Sequence, residues 1–314
     1  MAAVVFVHGI GQRQRGPATV GEPWRLALAD GVWKAGHPDL ADRLRAPVGS
    51  ADRFEASMAF YADLFDPPGR QGGSAGLEGL DPVEAALVEE LASCWLRRAV
   101  DAAGSEEDRA VAGAEVARLD GSGGQVQGAG NAARGALAGL AQVRWFAPFG
   151  MAVARRFVVR ALTEVVRYLS EPALREQVQA RVAALVDEDT RVVIGHSLGS
   201  VVAFEAACRV AGRLPLLVTL GSPLGLRRIV YDRLDPQPPR FPAAVDRWVN
   251  IAAEDDIVAA VPDLTRLFPA PDPAGVGQVE NVTVDNGSAP HEATHYLTKK
   301  QTGEPVAQAL TGGA

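Results

Sequence analysis

The sequence is poor in cysteine and lysine, and each shortage narrows the classes of protein it can belong to. Its two cysteines, Cys94 and Cys208, are isolated and form no C-x-x-C pair, so no disulfide framework is expected. The only lysines are Lys34, Lys299 and Lys300, and the net charge is −7. This balance argues against a protein surface that binds nucleic acid. No uncharged apolar run reaches the ~18 residues of a transmembrane helix.

The 314 residues contain enough apolar material for a sizeable core. Hydrophobic residues make up 47% of the chain and charged residues 22%, which is typical of a folded globular protein and not of a disordered one. The N-terminal segment 1–7 is apolar, lacks basic residues and leads directly into a glycine turn. It therefore predicts a buried strand rather than a cleaved signal, and we expect a cytoplasmic protein.

Short apolar segments alternate with segments of helical periodicity along most of the chain. The predicted strands are residues 4–7, 54–61, 191–194, 215–220, 247–252 and 279–284. Helical segments at 24–33, 174–185 and 200–210 fall between them. This alternation predicts an α/β fold with a mainly parallel sheet of about six strands, flanked by helices on both faces.

Residues 67–150 interrupt this alternation. Asp81, Pro82 and Glu84 have the spacing of a helix N-cap, first turn and capping box, and a second helical segment covers 106–119. The segment 121–139 is rich in Gly and Ala and nearly uncharged, which is typical of a linker. We interpret 67–150 as a helical cap or lid inserted into a single domain that spans 1–314.

The end of this insertion is unusually apolar, at residues 145–151, and arginines follow it. The favoured interpretation is a lid with its apolar side packed on the sheet and its arginines in solvent. The alternative is an interfacial helix that brings the cap into transient contact with a membrane or lipid.

The strongest functional signal is the pentapeptide Gly195-His196-Ser197-Leu198-Gly199, which joins a predicted strand to a predicted helix. In this context the serine adopts a strained backbone conformation, and glycines two positions before and after it provide clearance. The amides at the start of the helix point toward negative charge that develops near Ser197. We predict that Ser197 is a nucleophile and that the amide of Leu198 is an oxyanion donor.

A second glycine turn follows the first predicted strand, at His8-Gly9-Ile10-Gly11-Gln12. The glycines allow a backbone N–H to turn toward the nucleophile, and Ile10 is the predicted donor. An oxyanion hole of this kind suits acyl transfer, because the tetrahedral intermediate concentrates its charge on one oxygen. His8 and Gln12 are expected to support the turn.

These two turns, together with the strand–helix rhythm of residues 1–65 and 165–314, resemble the α/β-hydrolase family, in particular its lipase- and esterase-like members. The resemblance implies an acid and then a histidine after the serine. In many lipase-like relatives a Trp-x-Asn strand leads to the acid, and Trp248-Val249-Asn250 places Asp256 in that position. Asp255 and Glu254 are the adjacent alternatives.

The predicted general base is His291, in the loop after the last predicted strand. His295, one helical turn further on, is the alternative. A rival motif covers the same residues, because His291-Glu292-Ala293-Thr294-His295 is an H-E-x-x-H zinc sequence of the metalloprotease type. It leaves only Glu304 as a third ligand and does not explain the two glycine turns. We therefore expect neither a metal nor an organic cofactor.

Together these residues predict a serine hydrolase that cleaves small carboxylic esters through an acyl-enzyme intermediate. The apolar insertion favours a hydrophobic acyl group. A thioesterase or acyltransferase that acts on carrier-bound acyl chains is the alternative, since the fold hosts several such reactions. A hydrolase fold used only for binding is a third possibility, disfavoured by the complete set of Ser197, Asp256 and His291.

Overall fold

Strands and helices alternate along the residues that the structure describes, which are 2–65, 81–102, 106–121, 151–270 and 277–312 of a computed structural model. The strands are β1 (Val4–Val7), β2 (Ala56–Ala59), β3 (Val192–His196), β4 (Leu214–Leu220), β5 (Val245–Ala253) and β6 (Glu280–Val284). The helices are α1 (Pro17–Lys34), α2 (Pro38–Arg45), α3 (Pro82–Ala102), α4 (Glu106–Gly121), α5 (Met151–Ser170), α6 (Pro172–Ala183), α7 (Leu198–Arg209), α8 (Ala293–Leu297) and α9 (Lys300–Thr311).

The six strands form one open sheet in which every pairing is parallel, in the order β2-β1-β3-β4-β5-β6. The predicted α/β class and strand number are confirmed. The strand order reverses between β1 and β3, since the chain proceeds to β2 on one side and to β4 on the other. In open α/β sheets the crevice at the carboxyl ends of the two strands at such a reversal is the usual place for a binding site.

Several elements have ends that differ from those predicted. The helix predicted at 24–33 begins earlier, at Pro17, because proline is well tolerated in the first turn of a helix. β3 extends to His196, which pairs with Leu220 of β4. The strand predicted at 54–61 is shorter and covers only Ala56–Ala59.

The predicted capping box at the start of α3 is present. Oδ1 of Asp81 accepts hydrogen bonds from the backbone N–H groups of Val83 and Glu84, each at 2.8 Å. Oε2 of Glu84 in turn accepts from the backbone N–H of Asp81, at 3.1 Å. These bonds satisfy amide groups that have no partner within the helix.

The chain separates into two compact units. One comprises Met1–Leu64 and Glu176–Ala314 and contains the whole sheet; the other is Phe65–Arg175. The second unit therefore interrupts the first in the chain, and it also takes in α5, which follows the insertion predicted at 67–150. Much of that insertion, including the predicted linker and all but the last residue of the apolar segment at 145–151, lies outside the described residues. Its role as a cap stays a prediction.

None of the described helices combines the length and the apolar character that a membrane span requires.

Helix α1 lies unusually close to the end of α8 and to α9, with a glycine at each contact. A Cβ added to Gly31 would collide with the carbonyl oxygen of Leu297, and one added to Gly303 would collide with the carbonyl oxygen of Gly31. Backbone atoms are the obstacle in both cases, so a rotamer change cannot relieve the contact. This crossing fixes α1 and α9 beside α8, which follows the predicted base His291.

We expect Gly31→Ala and Gly303→Ala each to lower the free energy of unfolding by about 1–3 kcal/mol, the usual cost of forcing extra volume into a packed site. Thermal unfolding followed by circular dichroism measures the loss. Gly113→Ala in α4 is the control, because an added Cβ there meets no atom within 4 Å and alanine favours the helix. An unchanged unfolding midpoint in both Gly31→Ala and Gly303→Ala would contradict the close crossing.

Candidate active site

Ser197 lies at the turn between β3 and α7 with φ 56° and ψ −128°. Among the described residues it is the only one other than glycine with a positive φ. Such a conformation costs of order 1–3 kcal/mol and persists only where the surrounding structure enforces it. Ser197 therefore has the strained backbone predicted for a serine at a strand-to-helix elbow.

The two glycines of the pentapeptide lie where no side chain fits. A Cβ on Gly195 would lie 2.7 Å from the Cα of Ser200 and 2.8 Å from the Cβ of Ala203, so β3 and α7 pack backbone to backbone. A Cβ on Gly199 would collide with the carbonyl oxygens of Val7 and His8. The start of α7 is thus pressed against the end of β1.

The turn after β1 contacts the elbow directly. A Cβ on Gly9 would lie 2.8 Å from the Cβ of Ser197, and Gly11 has φ 79°, which favours glycine. Ile10, the predicted donor, lies between them and is half-buried. The predicted oxyanion elements of Ile10 and Leu198 therefore belong to two turns that meet at Ser197.

His8 supports this turn. Its ring stacks on Tyr61 at a centroid distance of 4.1 Å. Its Nδ1 contacts the carbonyl oxygen of Gly9 at 2.6 Å, and its Nε2 accepts the backbone N–H of Tyr61 at 3.2 Å. The hydroxyl of Tyr61 donates to the carbonyl oxygen of His8. These contacts fit the supporting role expected of His8.

Asp256 and His291 form a hydrogen-bonded pair. Nδ1 of His291 lies 2.8 Å from Oδ2 of the carboxylate. Because an ionised carboxylate only accepts, Nδ1 carries the proton, and the lone pair of the neutral ring is at Nε2. This is the tautomer that a general base needs when it takes a proton from a serine hydroxyl.

The carboxylate of Asp256 is fully buried, yet it is held in its ionised form. Burial alone would raise its pKa. The charge that His291 carries when it is protonated and its hydrogen bond, together with hydrogen bonds from the Tyr296 hydroxyl at 2.6 Å and the Val258 amide at 2.9 Å, outweigh burial and hold the pKa below its usual value.

The alternatives to this pair lie elsewhere. Glu254 is exposed and Asp255 half-buried, whereas the carboxylate bonded to His291 is that of Asp256. His295 directs its Nδ1 to the carbonyl oxygen of Asn286 at 2.9 Å. Of the candidates from the sequence, Asp256 and His291 are the two that the structure brings into contact.

The H-E-x-x-H sequence does not lie on one helix. α8 begins at Ala293, and Glu292 occupies its N-cap, so His291 precedes the helix. The spacing that would place both histidine rings on one helical face is therefore absent. Oε2 of Glu304, the only third ligand that the sequence offered, lies 3.3 Å from Nε2 of His37. Across the described ranges, no group of three or more His, Cys, Asp or Glu residues is arranged to hold a metal ion.

Backbone contacts join the elbow to the acid–base pair. The N–H of Ser197 donates to the carbonyl oxygen of Leu220 at 3.0 Å. A Cβ on the next residue, Gly221, would lie 2.7 Å from Oδ2 of Asp256 and 3.0 Å from Nδ1 of His291. The end of β4 therefore contacts both the serine turn and the pair of Asp256 and His291.

His196 makes a second link. Its Nε2 donates to the backbone carbonyl oxygen of His291 at 2.8 Å, and the two rings lie 4.5 Å apart. Since Ser197 directly follows His196 at the end of β3, the bond fixes the predicted base relative to the predicted nucleophile. The sequence analysis gave His196 no role beyond its place in the pentapeptide.

Two further serines hold the peptide that carries the Leu198 amide. The carbonyl oxygen of Ser197 accepts the hydroxyl of Ser200 at 2.6 Å and the N–H of Ser200 at 2.9 Å. The Ser200 hydroxyl also contacts the Ser222 hydroxyl at 2.7 Å. Because a trans peptide directs its N–H opposite its carbonyl, these bonds orient and polarise the N–H of Leu198.

A buried polar chain anchors the segment after β5, which carries Asp256. Nε1 of Trp248 donates to Oγ1 of Thr219 at 3.0 Å, and that hydroxyl donates to Oδ1 of Asn250 at 2.8 Å. The amide nitrogen of Asn250 donates to the carbonyl oxygen of Pro262 at 2.9 Å. The Trp-x-Asn pattern thus has a physical role in placing the acid.

The sequence analysis missed three polar side chains of the site, namely Tyr296, Ser200 and Ser222. Tyr296 follows the predicted base on α8, and Ser222 follows the glycine that ends β4. Glycine and polar residues at the end of a buried strand are a signal that could have indicated Ser222. No spacing rule indicates Tyr296.

A scan against protein-family models and searches of the curated proteins and of the solved structures found no match to this chain. Function is therefore argued from the geometry of the site.

Two buried histidines beside the site predict how stability depends on pH. Burial lowers the pKa of His8 from 6.5 to about 4, and burial with the nearby His291 lowers that of His196 to about 3. Both rings are neutral in the folded protein and gain a proton on unfolding below pH 6.5. Stability is therefore complete above pH 6.5 and falls with decreasing pH until the folded pKa values are reached.

Over this window we expect the free energy of unfolding to fall by up to about 2.7 kcal/mol per pH unit, the value for two protons taken up on unfolding. Urea unfolding at several pH values between 4 and 7 measures the slope. His196→Gln keeps a donor for the carbonyl of His291 and removes one titrating group, so it should halve the slope. A slope equal to that of the wild type would count against a buried neutral His196.

Proposed function

We propose that this chain is a serine hydrolase of the α/β-hydrolase type that cleaves carboxylic esters. The observation that carries the proposal is the strained Ser197 at the start of α7, whose turn contacts the end of β4, as does the hydrogen-bonded pair of Asp256 and His291. A structure retains such strain where function repays it. The position at the reversal of strand order, where ligands of open α/β sheets bind, supports the same conclusion.

The proposed reaction has two steps. Oγ of Ser197 attacks the ester carbonyl while Nε2 of His291 takes its proton, and Asp256 stabilises the resulting imidazolium. The amides of Leu198 and Ile10 hold the oxyanion. His291 then protonates the leaving alcohol, and the acyl-enzyme forms. A water activated by His291 releases the acid and restores Ser197.

A thioesterase or acyltransferase is the second candidate, because the same residues serve those reactions with a different leaving group or acceptor. The preference for an ester with a hydrophobic acyl group rests on the apolar character of the predicted cap. The proposed substrate of the esterase is a small-molecule ester, and that of the second candidate is a carrier-bound acyl chain.

The decisive experiment is labelling with a fluorophosphonate, which forms a covalent adduct with an activated serine. We expect one adduct, located at Ser197 by peptide mass spectrometry, and its loss in Ser197→Ala. The same variant should lose roughly 10⁴-fold or more of any esterase activity. Ser50→Ala, at an exposed position, is the control and should label like the wild type.

The acid is tested by a matched pair of neighbours. Asp256→Asn should lower kcat by roughly 10²–10⁴-fold, because the amide cannot hold the imidazolium and favours the wrong tautomer of the base. Asp255→Asn should leave kcat within about twofold.

A wild-type protein that forms no adduct at Ser197 would refute the hydrolase. Loss of activity in a chelator, without fluorophosphonate sensitivity, would support zinc chemistry instead.

A series of p-nitrophenyl esters, run beside acyl-CoAs of the same chain lengths, tests the substrate class. We expect kcat/KM to rise from the acetyl ester to the medium-chain esters, since each buried methylene contributes about 0.8 kcal/mol, or up to roughly fourfold. A preference for the acetyl ester would contradict a hydrophobic acyl site. Faster turnover of the acyl-CoAs would favour the thioesterase.

A further inference from the structure

Tyr296 is a buried tyrosine whose hydroxyl belongs to the hydrogen-bond network of the acid. The residue is 0% exposed. Its hydroxyl donates to Oδ2 of Asp256 at 2.6 Å and accepts the backbone N–H of Ala253, at the end of β5, at 2.8 Å. The chemistry proposed above gives this hydroxyl no part.

The hydroxyl shares one carboxylate oxygen with the base. Oδ2 of Asp256 accepts both the Tyr296 hydroxyl and Nδ1–H of His291, while Oδ1 accepts the amide of Val258. Two donors on one oxygen compete for its negative charge, so a stronger bond to one weakens the bond to the other. The amide of Ala253 polarises the Tyr296 hydroxyl and makes it the better donor.

We propose that Tyr296 is a positioning residue that sets how strongly Asp256 holds the His291 imidazolium; this inference rests on the proposed hydrolase. The hydroxyl keeps its proton, since burial and the adjacent carboxylate raise the pKa of Tyr296. It acts by drawing charge from Oδ2 and by fixing the rotamer of the carboxylate. It takes no part in proton transfer.

Removal of the hydroxyl has two consequences. Oδ2 regains negative charge and holds the imidazolium more tightly, so His291 acts as a base only at higher pH. The carboxylate also loses one of the groups that fix its orientation, which lowers kcat. A merely structural tyrosine would affect stability and leave the pH dependence of the reaction unchanged.

The other ionisable groups around Tyr296, Asp256 and His291 do not affect the comparison of Tyr296→Phe with the wild type. The ring of His196 lies 6.1 Å from that of Tyr296, and with a pKa of about 3 it is neutral where the enzyme is assayed. The wild type and Tyr296→Phe share the same neighbouring ionisable groups, namely the carboxylates of Glu254, Asp255 and Glu292 and the imidazole of His295. A difference between Tyr296→Phe and the wild type therefore reports on the hydroxyl.

The test compares Tyr296→Phe with Tyr231→Phe in the full-length protein. The Tyr231 hydroxyl donates to the carbonyl oxygen of Leu267 at 2.7 Å, so the control loses one hydroxyl bond away from the acid–base pair. Three properties are measured: the pH profile of kcat/KM on a p-nitrophenyl ester, the low-field ¹H NMR resonance of the His291 Nδ1 proton, and the unfolding midpoint.

We expect Tyr296→Phe to lower kcat roughly tenfold, as for loss of a hydrogen bond to a charged group, to move the acid limb of the profile to higher pH, and to shift the Nδ1 resonance. Tyr231→Phe should change only the unfolding midpoint. An acid limb and a resonance equal to those of the wild type would overturn the proposal.

A second variant tests the proposal if Tyr296→Phe does not fold. Site-specific 3-fluorotyrosine at position 296 has a more acidic hydroxyl and donates more strongly, so the acid limb should move to lower pH; an unmoved limb overturns the proposal. If the wild type forms no fluorophosphonate adduct, the hydrolase fails. The Nδ1 resonance then still decides whether Tyr296 controls the bond between Asp256 and His291.

Discussion

The site depends on one steric constraint, the backbone contact between the start of α7 and the ends of β1 and β3. Gly199 lies against the carbonyl oxygens of Val7 and His8, and Gly195 lies against the first turn of α7. With the helix this close, the chain can leave β3 and enter α7 only through a sharp turn. Ser197 takes the left-handed conformation that this turn requires. The strain is thus maintained by packing of backbone on backbone, which side-chain movement cannot relax.

The order of the strands explains why the other parts of the site lie near this contact. Strand order reverses between β1 and β3, so the helices that follow these strands diverge and leave a crevice at their carboxyl ends. β4 and β5 follow β3 in the sheet, at increasing distance from Ser197. The segments after β5 and β6 place Asp256 and His291 at the site. The hydrogen bond from His196 to the carbonyl oxygen of His291 joins the segment after β6 to the end of β3.

The sequence predicted the parts of the site that obey local rules. Gly195 and Gly199 are visible because a strained turn needs them at fixed spacing, and the capping box at Asp81 is visible for a similar reason. Asp256 and His291 were predicted through the order of acid and histidine that the family resemblance implies, with their neighbours as open alternatives. Only the contact between their side chains separates them from Asp255 and His295.

Contacts between distant residues escaped prediction because no local pattern encodes them. Gly31 and Gly303 look like ordinary helix glycines until α1 and α9 are seen to cross at them. Ser200 looks like an ordinary residue just after the pentapeptide, and its bond to Ser222 follows from β4 lying beside β3. Tyr296 looks like an apolar residue of a short helix. Its hydroxyl acquires a role only because β5 ends beside α8.

Burial and hydrogen bonding together fix the protonation states of the groups that surround the predicted base. His8 and His196 are held neutral, Asp256 is held ionised, and Tyr296 keeps its proton. These groups therefore act as permanent dipoles and one permanent charge, and in the proposed hydrolase they need no rearrangement when charge develops. In that proposal Nε2 of His291 accepts the proton of Ser197, while the other ring nitrogen is engaged by the ionised carboxylate.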